Sequence, residues 1–214
     1  MTVSYDDACT DKLINQLESL RVFCAVEIPS HVRKQISEYV ALLRSHLPDS
    51  AVRWEGAEKL HITLKFFGDI APQRIEDLSR AVTRAANAVR PFSLAVGETG
   101  VFPPRGTARV LWLGVRDDSG GLNNLRRALE DECAGAGYTR ESRPFHPHLT
   151  IARLRTPHGA REAARAHTRN VFQSDVFTVF ETLVMRSEVT AGGSRYTTLS
   201  RHPLKDTRKV EVEI

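Results

Sequence analysis

Cysteine is scarce in this chain of 214 residues, which has only Cys9, Cys24 and Cys133. An odd number so widely scattered builds neither a disulfide framework nor a Cys-x-x-Cys metal knuckle, and it suits a reducing compartment. Long apolar runs are missing too, and nothing approaches the roughly 18 residues needed to cross a bilayer. The opening segment, Met1 to Asp11 with Asp6 and Asp7, lacks the basic and apolar regions of a secretion signal. These absences lead to the expectation of a cytoplasmic protein without membrane contact, taken to be a monomer. There is no low-complexity segment, and no carboxylate-rich or His/Asp grouping of the kind that holds magnesium or zinc. Gly120-Gly121 is not a phosphate loop, because the Lys-Ser/Thr that should follow is absent. No metal and no cofactor are therefore expected.

What is present describes a globular protein, 41% hydrophobic and 26% charged, long enough for one domain or two closely packed lobes. A formal charge of +4 and a pI of about 9.1 would attract a phosphate-bearing partner if the arginines cluster, although taken alone they fit a solvated basic surface better. Residues 1–20 read as an N-terminal extension in which Leu13, Leu17 and Leu20 could form a short helix. Residues 21–204 read as a single domain, and 205–214 as a tail with alternating Val210, Val212 and Ile214.

Within the domain, Arg21–Pro29 reads as a strand stopped by proline, followed by a helix capped by Ser30 with a stripe of Val32, Ile36, Val40, Leu43 and Leu47. A second helix starts near Pro72 and carries Ile75, Leu78, Val82, Ala85 and Val89. Between the two helices a short strand is expected around Val52–Trp54 and a longer one from about Lys59 to Phe67. The second half repeats this rhythm: a strand at Arg109–Val115, a helix at about Gly121–Ala134 ended by Gly135 and Gly137, and a strand at about His148–Arg153. Asp175–Arg186 and Arg195–Leu204 should close the fold as two strands. Helices mixed with largely non-parallel strands define an α+β fold.

Two stretches share one pattern, His61-Ile62-Thr63-Leu64 and His148-Leu149-Thr150-Ile151. On a strand each puts its histidine and threonine on one face and its aliphatic pair on the other. If a pseudo-twofold axis relates the two halves, the polar faces confront each other and bring His61 and His148 to opposite sides of one phosphate. This arrangement matches the opening of a cyclic phosphodiester, in which one imidazole takes the proton of water while an imidazolium protonates the leaving oxygen. Thr63 and Thr150 would donate hydrogen bonds to the non-bridging oxygens. One such stretch is usually an ordinary strand with a satisfied histidine; two on corresponding strands point to catalysis.

Arg21–Pro29, Val52–Trp54, Leu60–Gly68, Val101–Pro103, Val110–Gly114 and Arg143–Arg153 together resemble the RNA 2′,3′-cyclic phosphodiesterases, historically called 2′-5′ RNA ligases, of the two-histidine phosphoesterases. The similarity runs collinearly from about Arg21 to Leu204; residues 1–20 and those after Leu204 fall outside it. It implies a bilobal α+β fold with pseudo-twofold-related lobes, helices outside, and a central groove. It also implies an RNA partner with a 2′,3′-cyclic phosphate terminus, hydrolysed to a 2′-phosphate. By the same carry-over His61 is the proton donor to the leaving 3′ oxygen and His148 the proton acceptor from water. ATP-independent 2′-5′ ligation belongs to the same family chemistry. The alternatives are a two-histidine enzyme for a small cyclic phosphate or a 2′-5′ oligonucleotide, and a non-catalytic RNA-binding module.

Other residues invite a role. Alternation puts Lys65 and Phe67 on the face of His61, where they could contact substrate. It sends Arg153, which resembles a family arginine, to the face opposite His148 unless a bulge turns it. Arg105 and Arg109 could hold RNA backbone, and Trp54, Phe66 or Trp112 could stack on a base, but exposed turns and core packing serve equally well. His146 shares the parity of His148 and is expected at the rim, while His31, His46, His158, His167 and His202 have no partner legible in the sequence and carry no function.

Overall fold

The computed structural model describes residues 19–47, 52–155, 157–191 and 193–205. The expected helix around Leu13 and Leu17 and the alternating tail lie outside them, as do Gly192 and the His158 side chain.

Among the described residues nine strands fall into two antiparallel sheets. The first holds β1 (Leu20–Glu27), β3 (His61–Ile70), β8 (Glu181–Thr190) and β9 (Gly193–Pro203), in the order β3-β1-β8-β9. The second holds β2 (Val52–Trp54), β4 (Phe92–Phe102), β5 (Val110–Arg116), β6 (His148–Leu154) and β7 (Phe177–Val179), in the order β2-β6-β5-β4-β7. Apart from β2, the orders correspond strand for strand, β3 to β6 and β1 to β5, which is the pseudo-twofold relation the repeated motifs require.

Among the described residues four α-helices cover the sheets: α1 (Ser30–Arg44), α2 (Ile75–Asn87), α3 (Gly121–Gly135) and α4 (Pro157–Arg169). The helices cross between lobes. The helix α3 leaves the second sheet through β5 yet packs on β3 and beside α2, whereas α1 leaves the first sheet through β1 and packs beside α4, which lies on β4 and β6. Each lobe is thus completed by a helix from the other half of the chain. The buried apolar side chains form one continuous cluster, from Val22 and Ile62 through Ile36 and Leu125 to Leu149 and Ile151.

Several local readings need correction. Pro29, not Ser30, occupies the cap position of α1, and no side chain caps it. Tyr39 is buried on its inner face while Val40 is only partly covered. The single strand expected at Asp175–Arg186 is two: β7 joins the second sheet and β8 the first, separated by the exposed Phe180. Neither β4 nor α4 was foreseen. The buried face of α4 is Ala160, Ala163 and His167, residues too small or too polar to register as an apolar stripe. Gly137 (φ 81°) does end α3, with Tyr138 N–H donating to Cys133 O at 2.9 Å and Gly137 N–H to Ala134 O at 3.0 Å, the two bonds of a Schellman close.

Two histidines expected to lack partners are core residues. His167 is fully buried, with Nδ1 2.9 Å from the Tyr39 hydroxyl and Nε2 2.9 Å from Trp112 O. His202 is buried between Thr83 Oγ1 at 2.9 Å and Ser200 Oγ at 2.8 Å. Burial lowers the pKa of both, since a charged ring in either place would be poorly solvated.

Lys65 is the largest departure. It is buried against α3, its ammonium 2.7 Å from Glu130 Oε2 and donating to Thr139 O at 2.8 Å. Glu130→Leu leaves that ammonium with one carbonyl and should cost about 3–5 kcal/mol in denaturant unfolding. Most of that loss should return in the Lys65→Met/Glu130→Leu double variant; a single-variant cost below about 1 kcal/mol would contradict the burial of the pair.

Candidate active site

The two motif strands share a burial sequence. From His61 to Phe67 and from His148 to Leu154 the positions run partly buried, buried, partly buried, buried, buried, exposed, partly buried. Strict alternation breaks at the fourth and fifth positions, and the strand pairing shows the reason. Opposite β1, Ala25 pairs with Thr63 and Cys24 with Lys65, which leaves Leu64 as an extra residue. Opposite β5, Trp112 pairs with Thr150 and Leu111 with Ala152, which leaves Ile151 extra. A bulge at the fourth residue of each motif reverses the parity of the two residues that follow it, and in β3 a second irregularity comes at Phe67. Lys65 therefore turns into the core and Arg153 turns toward the cleft. Phe66 replaces Phe67 at the cleft wall for the same reason, and Phe67 packs instead edge-on to Tyr138 with ring centroids 5.2 Å apart.

A cavity of about 240 Å³ lies between the two sheets, and His61, Thr63, His148, Thr150 and Arg153 all line it, with Glu55, Lys59, Phe66, Phe102, Val110 and Tyr196 completing the wall. Lys65 and Phe67 are not among its lining residues. Trp54 borders a neighbouring cavity, Arg105 and Arg109 are exposed between β4 and β5, and the His146 side chain is exposed.

Both histidines are held in the same way. His61 Nδ1 lies 2.7 Å from Lys59 O, and His148 Nδ1 lies 2.7 Å from His146 O, in each case the carbonyl two residues upstream. A carbonyl only accepts, so Nδ1 carries hydrogen on both rings and Nε2 is left for the cleft. The contribution of His146 is thus its backbone. Aromatic rings fix the planes: Phe23 lies 4.9 Å from His61 and Tyr196 meets it edge-on at 4.9 Å, while Phe102 meets His148 edge-on at 5.0 Å. Trp112 stands further off, 6.3 Å from His148. Among the described residues the hydroxyls of Thr63 and Thr150 make no hydrogen bond to protein, so both can donate to a bound anion.

Burial lowers the pKa of His61; the Lys59 carbonyl and Glu55 act against that shift, and the charge of His148 adds to it. That the two rings feel each other's charge agrees with their shared cavity. Sequence reasoning missed Glu55, Phe102 and Tyr196, and it offered Phe66 only as one of several aromatics that could stack on a base, behind Phe67. Only the bulge puts Phe66 rather than Phe67 at the cleft, and bulges leave no signature in a single sequence. Phe23, Phe102 and Tyr196 come from three other strands that only the folded chain brings together.

Two pseudo-symmetric lobes, each offering a His-x-Thr strand to one cleft, define a two-histidine phosphoesterase fold. A family model for the 2′-5′ RNA ligase superfamily matches residues 28–190, and the chain belongs to that family. It is 32% identical over 189 residues to an RNA 2′,3′-cyclic phosphodiesterase of Escherichia coli, a match covering 87% of this chain and 98% of that protein. A Geobacillus stearothermophilus protein of the same name is 38% identical over 131 residues, covering 61% of this chain and 41% of that longer protein. Among solved structures, E. coli LigT complexed with 3′-AMP aligns with a TM-score of 0.70 at 31% identity, covering 88% of this chain and all of that one.

Nitrogen-detected NMR of the free protein should show the neutral His61 ring protonated on Nδ1, with a titration midpoint below the ordinary histidine value of 6.5. A midpoint above that value, or an Nε2–H tautomer, would contradict the geometry.

Proposed function

We propose that this chain hydrolyses RNA ends carrying a 2′,3′-cyclic phosphate and leaves a 2′-phosphate. The observation that carries this reading is the matched pinning of two imidazoles, each bonded through Nδ1 to a backbone carbonyl, with both Nε2 atoms left for one cavity. The names of the relatives support the substrate class.

In the proposed step, water attacks phosphorus opposite the bond to the 3′ oxygen. His148 Nε2 takes a proton from the water as the new P–O bond forms. His61 Nε2–H gives its proton to the 3′ oxygen as that P–O bond breaks, and the phosphate stays on the 2′ oxygen. Thr63 and Thr150 donate to the two non-bridging oxygens, where the charge of the transition state resides. His61 must be charged to act as donor, and although burial disfavours that form in the free protein, an incoming phosphate anion favours it. A 5′-hydroxyl in place of water would give a 2′-5′ linkage by the same proton transfers, without a nucleoside triphosphate. A cavity of about 240 Å³ takes the cyclic phosphate and its ribose, so the body of the RNA lies outside it.

The deciding assay incubates a short RNA with a 2′,3′-cyclic end beside small cyclic phosphates and identifies the hydroxyl that keeps the phosphate. Preference for the RNA with a 2′-phosphate product is expected; preference for the small compounds, or binding without turnover, would overturn the reading. His61→Ala and His148→Ala should each lower kcat by roughly 10²–10⁴-fold, and Thr63→Val or Thr150→Val by about a hundredfold.

The pH dependence follows from the direction of the His61 shift. Because burial favours its neutral ring, the protonated fraction in the free enzyme falls as pH rises through a value below 6.5. A plot of kcat/KM against pH should therefore be bell-shaped with one apparent pKa below 6.5, the apparent values belonging to the pair of rings. A monotonic profile would remove the acid–base assignment.

A further inference from the structure

Glu55 is out of place for a phosphate site. It lines the cavity with the two histidines, and its side chain is only 12% exposed, so its negative charge faces the place an anion would occupy. A carboxylate there repels the substrate unless its charge is used. Its partner is Arg153, whose Nε lies 3.2 Å from Glu55 Oε1 and whose side chain is 53% exposed. The two ends of this pair differ in freedom. Glu55 follows β2 directly, with its backbone N–H bonded to Ile151 O at 2.9 Å, and Ile151 is the extra residue of the β6 bulge. Arg153 is the residue that this bulge turns toward the cleft. The carboxylate is therefore the fixed end and the guanidinium the mobile one.

The mode of contact is informative. A guanidinium presents five N–H donors in a rigid plane. Glu55 engages it through Nε, which leaves the two terminal nitrogens, and among the described residues no other protein group binds the Arg153 side chain. An ion pair whose guanidinium stays half exposed to water adds little to stability, so its consequence is direction.

Resting on the reading above that a phosphate sits between the two histidines, we propose that Glu55 is a positioning residue that anchors Arg153 by its Nε edge and so presents the terminal nitrogens to that phosphate. Glu55 itself does not touch the substrate. With Arg153 in place its charge is spent on the guanidinium; with Arg153 removed the same carboxylate opposes the anion. The effects of the two residues are accordingly coupled, with a sign that a packing role would not give.

The test compares wild type, Glu55→Gln, Arg153→Gln and the double variant, with folding checked by thermal melts. It uses two readouts: KM and kcat for cyclic-ended RNA, and the affinity for inorganic phosphate followed by NMR at both histidines. Glu55→Gln should raise KM and weaken phosphate three- to tenfold with little change in kcat, and Arg153→Gln should do so more strongly. The double variant should bind several-fold better than Arg153→Gln alone, because the unpaired carboxylate is gone. Arg153→Lys should not restore wild-type KM, since an ammonium has no second edge to offer. The charges facing His61 are Glu55 after β2, Lys59 before β3, and His148 and Arg153 on β6. Removing Glu55 should move the His61 titration to lower pH.

Effects that simply multiply in the double variant, or an unchanged KM in Glu55→Gln, would overturn the proposal. If wild type leaves the RNA intact while phosphate affinity shows the coupling, the substrate reading fails and the anchoring stands. If turnover occurs without the coupling, the anchoring fails alone.

Discussion

The site depends on a short backbone constraint used twice: a carbonyl two residues before each histidine holds its Nδ1–H at 2.7 Å. That bond sets the tautomer, turns Nε2 outward, and removes ring rotation that substrate binding would otherwise have to suppress. It depends on the chain just ahead of each motif strand. A 3₁₀ turn at Ala57–Lys59 precedes His61, and an irregular segment with Pro147 precedes His148. The two approaches differ in conformation and converge on one contact, so the likeness of the half-sites goes beyond the four residues they share.

The interlaced helices make the likeness usable. A cleft between two independent lobes would widen and narrow with their relative motion. Here α1 and α3 each leave one sheet and complete the cover of the other, and one apolar cluster runs through both. The buried Lys65–Glu130 pair adds a strut: Lys65 comes from the motif strand β3, and its other partner, Thr139, begins the segment leading to His148. Both motif strands are thus anchored in the same core.

The paired bulges show how one irregularity can serve structure and chemistry together. In β3 the bulge sends a lysine inward to the strut and a phenylalanine outward to the cleft. In β6 the same bulge sends Ala152 inward and Arg153 outward. One lobe contributes an aromatic wall and the other a cation from equivalent positions, an asymmetry that suits a substrate carrying both a base and a phosphate.

Much of this was legible in the chain. The two His-x-Thr stretches, the helices α1, α2 and α3, and the strands β1, β2, β3, β5 and β6 follow from periodicity and punctuation, because each is a local pattern of side chains with a definite repeat. Where the apolar signal is weak, as in α4 with its small buried residues, or where a strand changes sheets at one residue, as at Phe180, the local pattern has nothing to register. The amino-acid order by itself determined which residues could do acid–base chemistry on a phosphate and that they come in two copies. Only the tertiary structure decided which neighbours face them. Bulge placement, helix exchange and the Glu55–Arg153 contact arise from pairing between segments far apart in the chain, and strand parity read along one segment cannot register a partner strand that skips a residue.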